Sequence, residues 1–183
     1  MRCLDNKAIT DWLDSRSLSE DPYHRGSSHE FYLQFYTPND HSTFDAFVRH
    51  YYDRIISDLD SDSLIHMTDW SLYQKSDMIT VSAIRSSSGE DRMLIDAPGH
   101  ILPHAEMEIG VALFGLSTSF GWSSYLYSQR HRSTLFNWEG DILDFWTDSE
   151  DRFSEMRLMI KQFELAETSN GEQVGAGNPL PVE

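Results

Sequence analysis

Cysteine is nearly missing from this chain of 183 residues: Cys3 stands alone, so no intrachain disulfide framework can form. That suits a reducing, cytoplasmic setting. Positive charge is scarce too, with 14 Lys and Arg against 30 Asp and Glu and a net charge of -16. Such a chain has little with which to displace counterions from a nucleic-acid backbone or to adhere to an anionic membrane, so neither is expected as a partner. Long apolar runs are lacking. "IGVALFGL" is core-sized, well short of the ~18 residues of a spanning helix, and "MRCLDNKAITDW" contains no signal-type segment. Nor is there a glycine-rich phosphate loop or other cofactor pattern, and no cofactor is expected. "GLSTSFG" misses the G-x-S-x-G spacing of a nucleophile elbow. Cys3 has no histidine adjacent in sequence and falls near a terminus expected to fray.

What is present is an ordinary hydrophobic share, 39%, with 13% aromatic residues, enough for one core. Residues 6–15 place Ile9, Trp12 and Leu13 on one helical face. "HEFYLQFYT" alternates as a strand, with Phe31, Leu33 and Phe35 one way and Tyr32, Gln34 and Tyr36 the other. "STFDAFVRHYYDRIISDL" repeats as a helix capped by Asp40 or Ser42. A strand follows near "SLIHMTDWSLY", and "DMITVSAIR" and "DRMLIDA" read as a hairpin around "SSSGE". "HAEMEIGVALFGLSTSFGW" is long enough to be a helix, with Pro103 at its first position and Gly121 past its end. "SSYLYSQ", "STLFNW" and "DILDFWT" read as strands, and Ser149 caps a last helix. The expected fold is α+β, a two-layer sandwich of a mainly antiparallel sheet with helices packed on one face. One domain spans 1–165, followed by a polar, mobile tail over 166–183.

Four stretches carry candidate chemistry. In "DAPGHILPHAEMEIG", His100 and His104 lie four apart with Glu106 beyond, the residue types of a metal or acid–base site, to which Asp69 or Asp96 would add a fourth group. Pro103 separates the two histidines onto different elements, so the same stretch also reads as a plain strand–turn–helix junction. Asp58, Asp60 and Asp62 match the start of a calcium loop, but Ser63 stands where glycine is needed and Asp69 where the bidentate Glu belongs. Arg130, His131 and Arg132 form the one compact basic patch, fit either for an anion or for the protein's own carboxylates.

The fourth stretch, "FNWEGDILDFW", sets Trp138 and Trp146 among Glu139, Asp141 and Asp144. From Glu139 onward, eleven acidic residues face only Arg152, Arg157 and Lys161. Aromatic side chains in acidic surroundings suit a basic, arginine-bearing protein partner. The function expected from these features is a non-enzymatic protein-interaction module, acting as an adaptor, accessory factor or inhibitor, with homo-oligomer formation compatible. The alternative is a metal-dependent or acid/base hydrolase centred on His100, His104 and Glu106.

Overall fold

A computed structural model describes residues 1–23, 29–56, 62–70, 73–129 and 132–168. The elements in order are β1 (Arg2–Leu4), α1 (Asn6–Asp14), β2 (Phe31–Tyr36), α2 (His41–Tyr51), a π-helical turn (Tyr52–Ile56), β3 (Asp62–Asp69), α3 (Lys75–Ser87) and β4 (Gly99–Pro103). A 3-10 turn (His104–Glu106), α4 (Met107–Ser119), β5 (Ser123–Ser128), β6 (Ser133–Trp138), β7 (Ile142–Thr147) and α5 (Glu150–Gln162) complete the chain. The strands form one open antiparallel sheet in the order β1-β4-β3-β5-β6-β7-β2. The fold is therefore α+β, with helices packed against an antiparallel sheet. No helix among the described residues is long and apolar enough to cross a membrane.

Register gives the sheet two chemically different faces. Directly opposed residues of an antiparallel pair point the same way. One row accordingly runs Cys3, His100, Ile65, Leu126, Leu135, Phe145, Leu33 from edge to edge. Its apolar members join the main core under α2, α4 and α5. The next row runs Leu4, Gly99, His66, Tyr125, Phe136, Asp144, Gln34 on the opposite face. That face is covered by α1 through Ile9, Trp12 and Leu13, and then by Leu18. One short helix thus crosses to the side the other helices leave.

Caps fix the helix starts. Asp5 Oδ1 accepts from the Ala8 amide at 2.8 Å, Asp40 Oδ1 from Thr43 at 2.9 Å, and Ser149 Oγ from Arg152 at 3.4 Å.

Three expectations change. The hairpin expected over 77–97 is absent: "DMITVSAIR" lies inside α3, started by a capping box between Gln74 and Asp77. Its β-branched residues mimic a strand, but Val81 and Arg85, one helical turn apart, are the ones buried. The strand expected from "DRMLIDA" belongs instead to "GHILP", so Pro103 closes β4 and α4 starts four residues later. The N-terminus does not fray but pairs as β1 against β4. In addition, the first tail residues lie along β2: the Tyr36 amide donates to the Ala166 carbonyl and that of Thr168 to Gln34.

The β6–β7 connection depends on Gly140. Its φ is +87°, and a Cβ there would lie 2.5 Å from the Thr118 carbonyl oxygen. Gly89 has φ +80° with open space around it. Gly140→Ala should therefore cost both left-handed strain and a backbone clash, about 2–4 kcal/mol, and Gly89→Ala about 1 kcal/mol. Urea unfolding of the two variants checks the ranking.

Candidate functional site

The residues of the alternative, hydrolytic reading are dispersed. His100 is fully buried within β4, on the helix-covered face of the sheet. His104 opens the 3-10 turn beyond the strand, and Glu106 ends that turn, where its carboxylate accepts from the Met1 amino group. Asp69 ends β3 and Asp96 lies exposed in the turn before β4. Among the described residues, no group of three or more His, Cys, Asp or Glu side chains is placed to hold a metal ion. Burial, with the Arg85 charge as a lesser cause, pushes His100 down to about 3, and burial pushes His66 down to about 4. Both rings are neutral at pH 7. Burial likewise raises the Cys3 thiol, the opposite of what a nucleophile needs.

Of the calcium pattern, Asp62, Ser63 and Asp69 are part of β3 rather than of a loop, while Asp58 and Asp60 lie outside the described residues, as do Arg130 and His131. Arg132 pairs with Asp148 at 2.7 Å, one of the protein's own carboxylates. His29 Nδ1 lies 3.3 Å from the same carboxylate.

A cleft of about 1030 Å³ wraps one end of the sheet, lined among others by Tyr36, Asp40, His41, Ser119, Asp141 and Glu164. Sequence spacing gave no hint of the His41–Ser119 pair within it, 3.1 Å apart. It is not an activated nucleophile. Ser119 Oγ also donates to the Gly115 carbonyl at 2.8 Å, which spends its one proton, so His41 Nδ1 is the donor between them. A general base has to accept that proton instead.

Trp138, Asp144 and Trp146 come together on the face opposite the main helices. Along β6 and β7, every second residue points there, so Phe136 and Trp138 lie beside Asp144 and Trp146. The β2 residues Tyr32 and Gln34 share this face. Asp144 is 0% exposed, yet it sits among aromatic rings. Its Oδ1 accepts from Tyr32 Oη at 2.5 Å and from Gln34 Nε2 at 2.8 Å, and its Oδ2 accepts from Tyr23 Oη. A buried carboxylate needs such donors to offset its lost hydration. All three are neutral, and among the described residues Asp144 makes no ion pair. Burial and then the Asp144 bond raise both phenols far above their ordinary range, so they remain donors.

Tyr23 closes the group from a loop 121 residues away in sequence. Its ring stands nearly perpendicular to Trp146, Phe136 and Trp138, at 4.8, 6.1 and 6.4 Å between centroids. Tyr125 stacks on Phe136 at 4.2 Å behind it. Trp138 and Tyr36 are 51% and 53% exposed, so the aromatic surface continues outward. Glu139 and Asp141 stand exposed on the adjoining turn, separate from the buried Asp144. Sequence reasoning missed Tyr23, Tyr32, Gln34 and Phe136. The alternation of "FYLQFY" already placed Tyr32 and Gln34 on a second face, whereas nothing local marks Tyr23.

Two outcomes follow. Tyr32→Phe removes a donor from the carboxylate and should destabilise the fold by about 1.5–3 kcal/mol, more than Tyr36→Phe, measured by urea unfolding. Acid should also weaken the fold before carboxylates titrate. His66 and His100 stay neutral when folded, but in the unfolded chain they take up protons below about pH 6.5. Stability is then full above that pH and falls as pH drops toward the folded values of about 4 and about 3. His66→Gln should flatten the slope of stability between about pH 6.5 and 4.5, even if it lowers stability throughout. No family model, curated protein or solved structure matches the chain.

Proposed function

We propose that this protein is a non-enzymatic interaction module that receives a basic protein partner on the aromatic–acidic face of its sheet. The observation carrying this reading is Asp144: a carboxylate with no exposure, ringed by Tyr23, Tyr32, Phe136 and Trp146, and hydrogen-bonded, among the described residues, only to neutral donors. Burying a charge in this way is costly unless a counter-charge or full hydrogen bonding offsets it. Exposed Trp138 and Tyr36 extend the surface, and large aromatic side chains dominate the energetics of protein interfaces. Glu20, Asp21, Glu139 and Asp141 surround it with exposed negative charge. Elsewhere, Lys7, Arg49, Arg54, Arg92 and Arg157 pair with carboxylates on other parts of the chain. Among the described residues, negative charge prevails around Trp138 and Tyr36, which favours and steers a basic partner.

The test is differential capture from cytosol by the wild-type chain and by the double variant Trp138→Ser, Tyr36→Ser, whose exposed positions leave the core intact. A partner should be retained by the wild type, drop about tenfold on the variant, and be released between about 0.05 and 0.5 M salt. Equal retention on both, or retention indifferent to salt, sinks the proposal.

A further inference from the structure

Tyr23 has the geometry of a stand-in. Its ring meets Trp146, Phe136 and Trp138 edge-to-face, with interplanar angles of 88°, 82° and 85°. Its hydroxyl, at the inner end, is among the described residues the one donor to Asp144 Oδ2, while Tyr32 and Gln34 both serve Oδ1. Withdrawing Tyr23 would vacate its place among these rings and leave one oxygen of a buried carboxylate without a donor among the described residues. The replacement has to be planar, carry a hydrogen-bond donor at its tip and be at ease against aromatic rings. It also gains most if it brings the positive charge that the neutral donors lack.

An arginine side chain meets all four conditions. Its guanidinium is flat, donates through five N–H groups, stacks on aromatic rings and stays charged. A lysine ammonium lacks the plane, and another tyrosine lacks the charge. Tyr23 itself is held lightly for a residue in such a place. It is 45% exposed, follows a turn in which its amide donates to Asp21 Oδ1 at 3.1 Å, and is anchored by ring contacts and a single side-chain hydrogen bond.

We infer that the Tyr23 ring occupies the seat of a partner's arginine, and that docking exchanges the phenol for a guanidinium over Asp144. This rests on the reading of that face as the docking surface, and it adds the chemical identity of the residue that enters. Asp144 is then the determinant of arginine over lysine, and Tyr23 a competitor that lowers affinity until a partner displaces it. A guest that must first expel an internal occupant binds more weakly than to an empty site.

The experiment uses the full chain as wild type, Tyr23→Ala, and Tyr23→Ala with Asp144→Asn, each checked for folding by circular dichroism. The probes are Nα-acetylarginine amide and Nα-acetyllysine amide, followed by tryptophan indole resonances in two-dimensional NMR. Tyr23→Ala should bind the arginine probe about tenfold more tightly than wild type and about tenfold more tightly than the lysine probe, with the preference lost on adding Asp144→Asn. A folded Tyr23→Ala chain that binds neither probe, binds both equally, or matches wild type overturns the inference. Should Tyr23→Ala or its double variant not fold, Tyr23→Phe keeps the ring and loses only the donor. It should still bind the arginine probe about threefold more tightly than wild type, and no gain there is equally decisive. Capture that depends on Trp138 and Tyr36 without any arginine preference would remove this inference and leave the interaction reading standing. Arginine preference without captured protein would leave the seat arginine-selective but overturn the interaction reading, and with it the assignment of that arginine to a protein partner.

Discussion

The pleat of one antiparallel sheet governs everything else in this molecule. Because side chains alternate, the seven strands sort their residues into two sets, apart from a register shift between Met67 and Asp69 at the end of β3. The set containing Ile65, Leu126, Leu135, Phe145 and Leu33 is apolar and takes three helices. The set containing Tyr125, Phe136, Asp144 and Gln34 is aromatic and polar, and α1 and Leu18 cover it. A one-residue slip between β6 and β7 would turn Asp144 into the helix-covered core and put Phe145 on the aromatic and polar face. The burial of a charge at position 144 is tolerable only because register also delivers Tyr32 and Gln34 to it from β2.

The buried polar groups divide along the same line. On the helix-covered face, His100 is kept neutral by its surroundings, and the hydroxyls of Ser133 and Thr147 satisfy one another at 2.9 Å. Thr147 Oγ1 also accepts from the Ser149 amide at 3.2 Å. On the other face, the carboxylate of Asp144 is satisfied by a network that ends in a half-exposed tyrosine. Networks that reach the surface through one side chain can be rearranged there at less cost than those closed in the core, because water can take over the broken bonds.

Helices with apolar residues one turn apart were readable from sequence, as Phe44, Phe47, Val48 and Tyr51 in α2 show. So were the strands whose alternation is clean, such as "FYLQFY". α3 was not, because Ile79, Thr80 and Val81 carry a strand's composition while the helix is decided by a cap at Gln74 and by burial of only two side chains. β4 was hidden by its bracketing Gly99 and Pro103, which read as turn residues until the neighbouring strands are known. Of the aromatic–acidic site, Trp138, Asp144 and Trp146 were visible as residue types in one stretch. The burial of Asp144 and the arrival of Tyr23 depend on contacts across more than a hundred residues. No local pattern encodes such contacts.

Both margins of the sheet are blunted. β1 is only three residues long, and the Arg92 guanidinium donates to the Cys3 carbonyl at 3.0 Å. At the far margin, Glu167 bridges Phe35, and the flanking backbone bonds of Ala166 and Thr168 occupy Tyr36 and Gln34. A visiting peptide thus finds little unpaired backbone on which to add itself as an eighth strand. Recognition by main-chain pairing is largely indifferent to side-chain identity. With that route narrowed, discrimination among visitors falls to side chains, and the molecule gains protection from the indiscriminate sheet-to-sheet association that exposed strand edges invite.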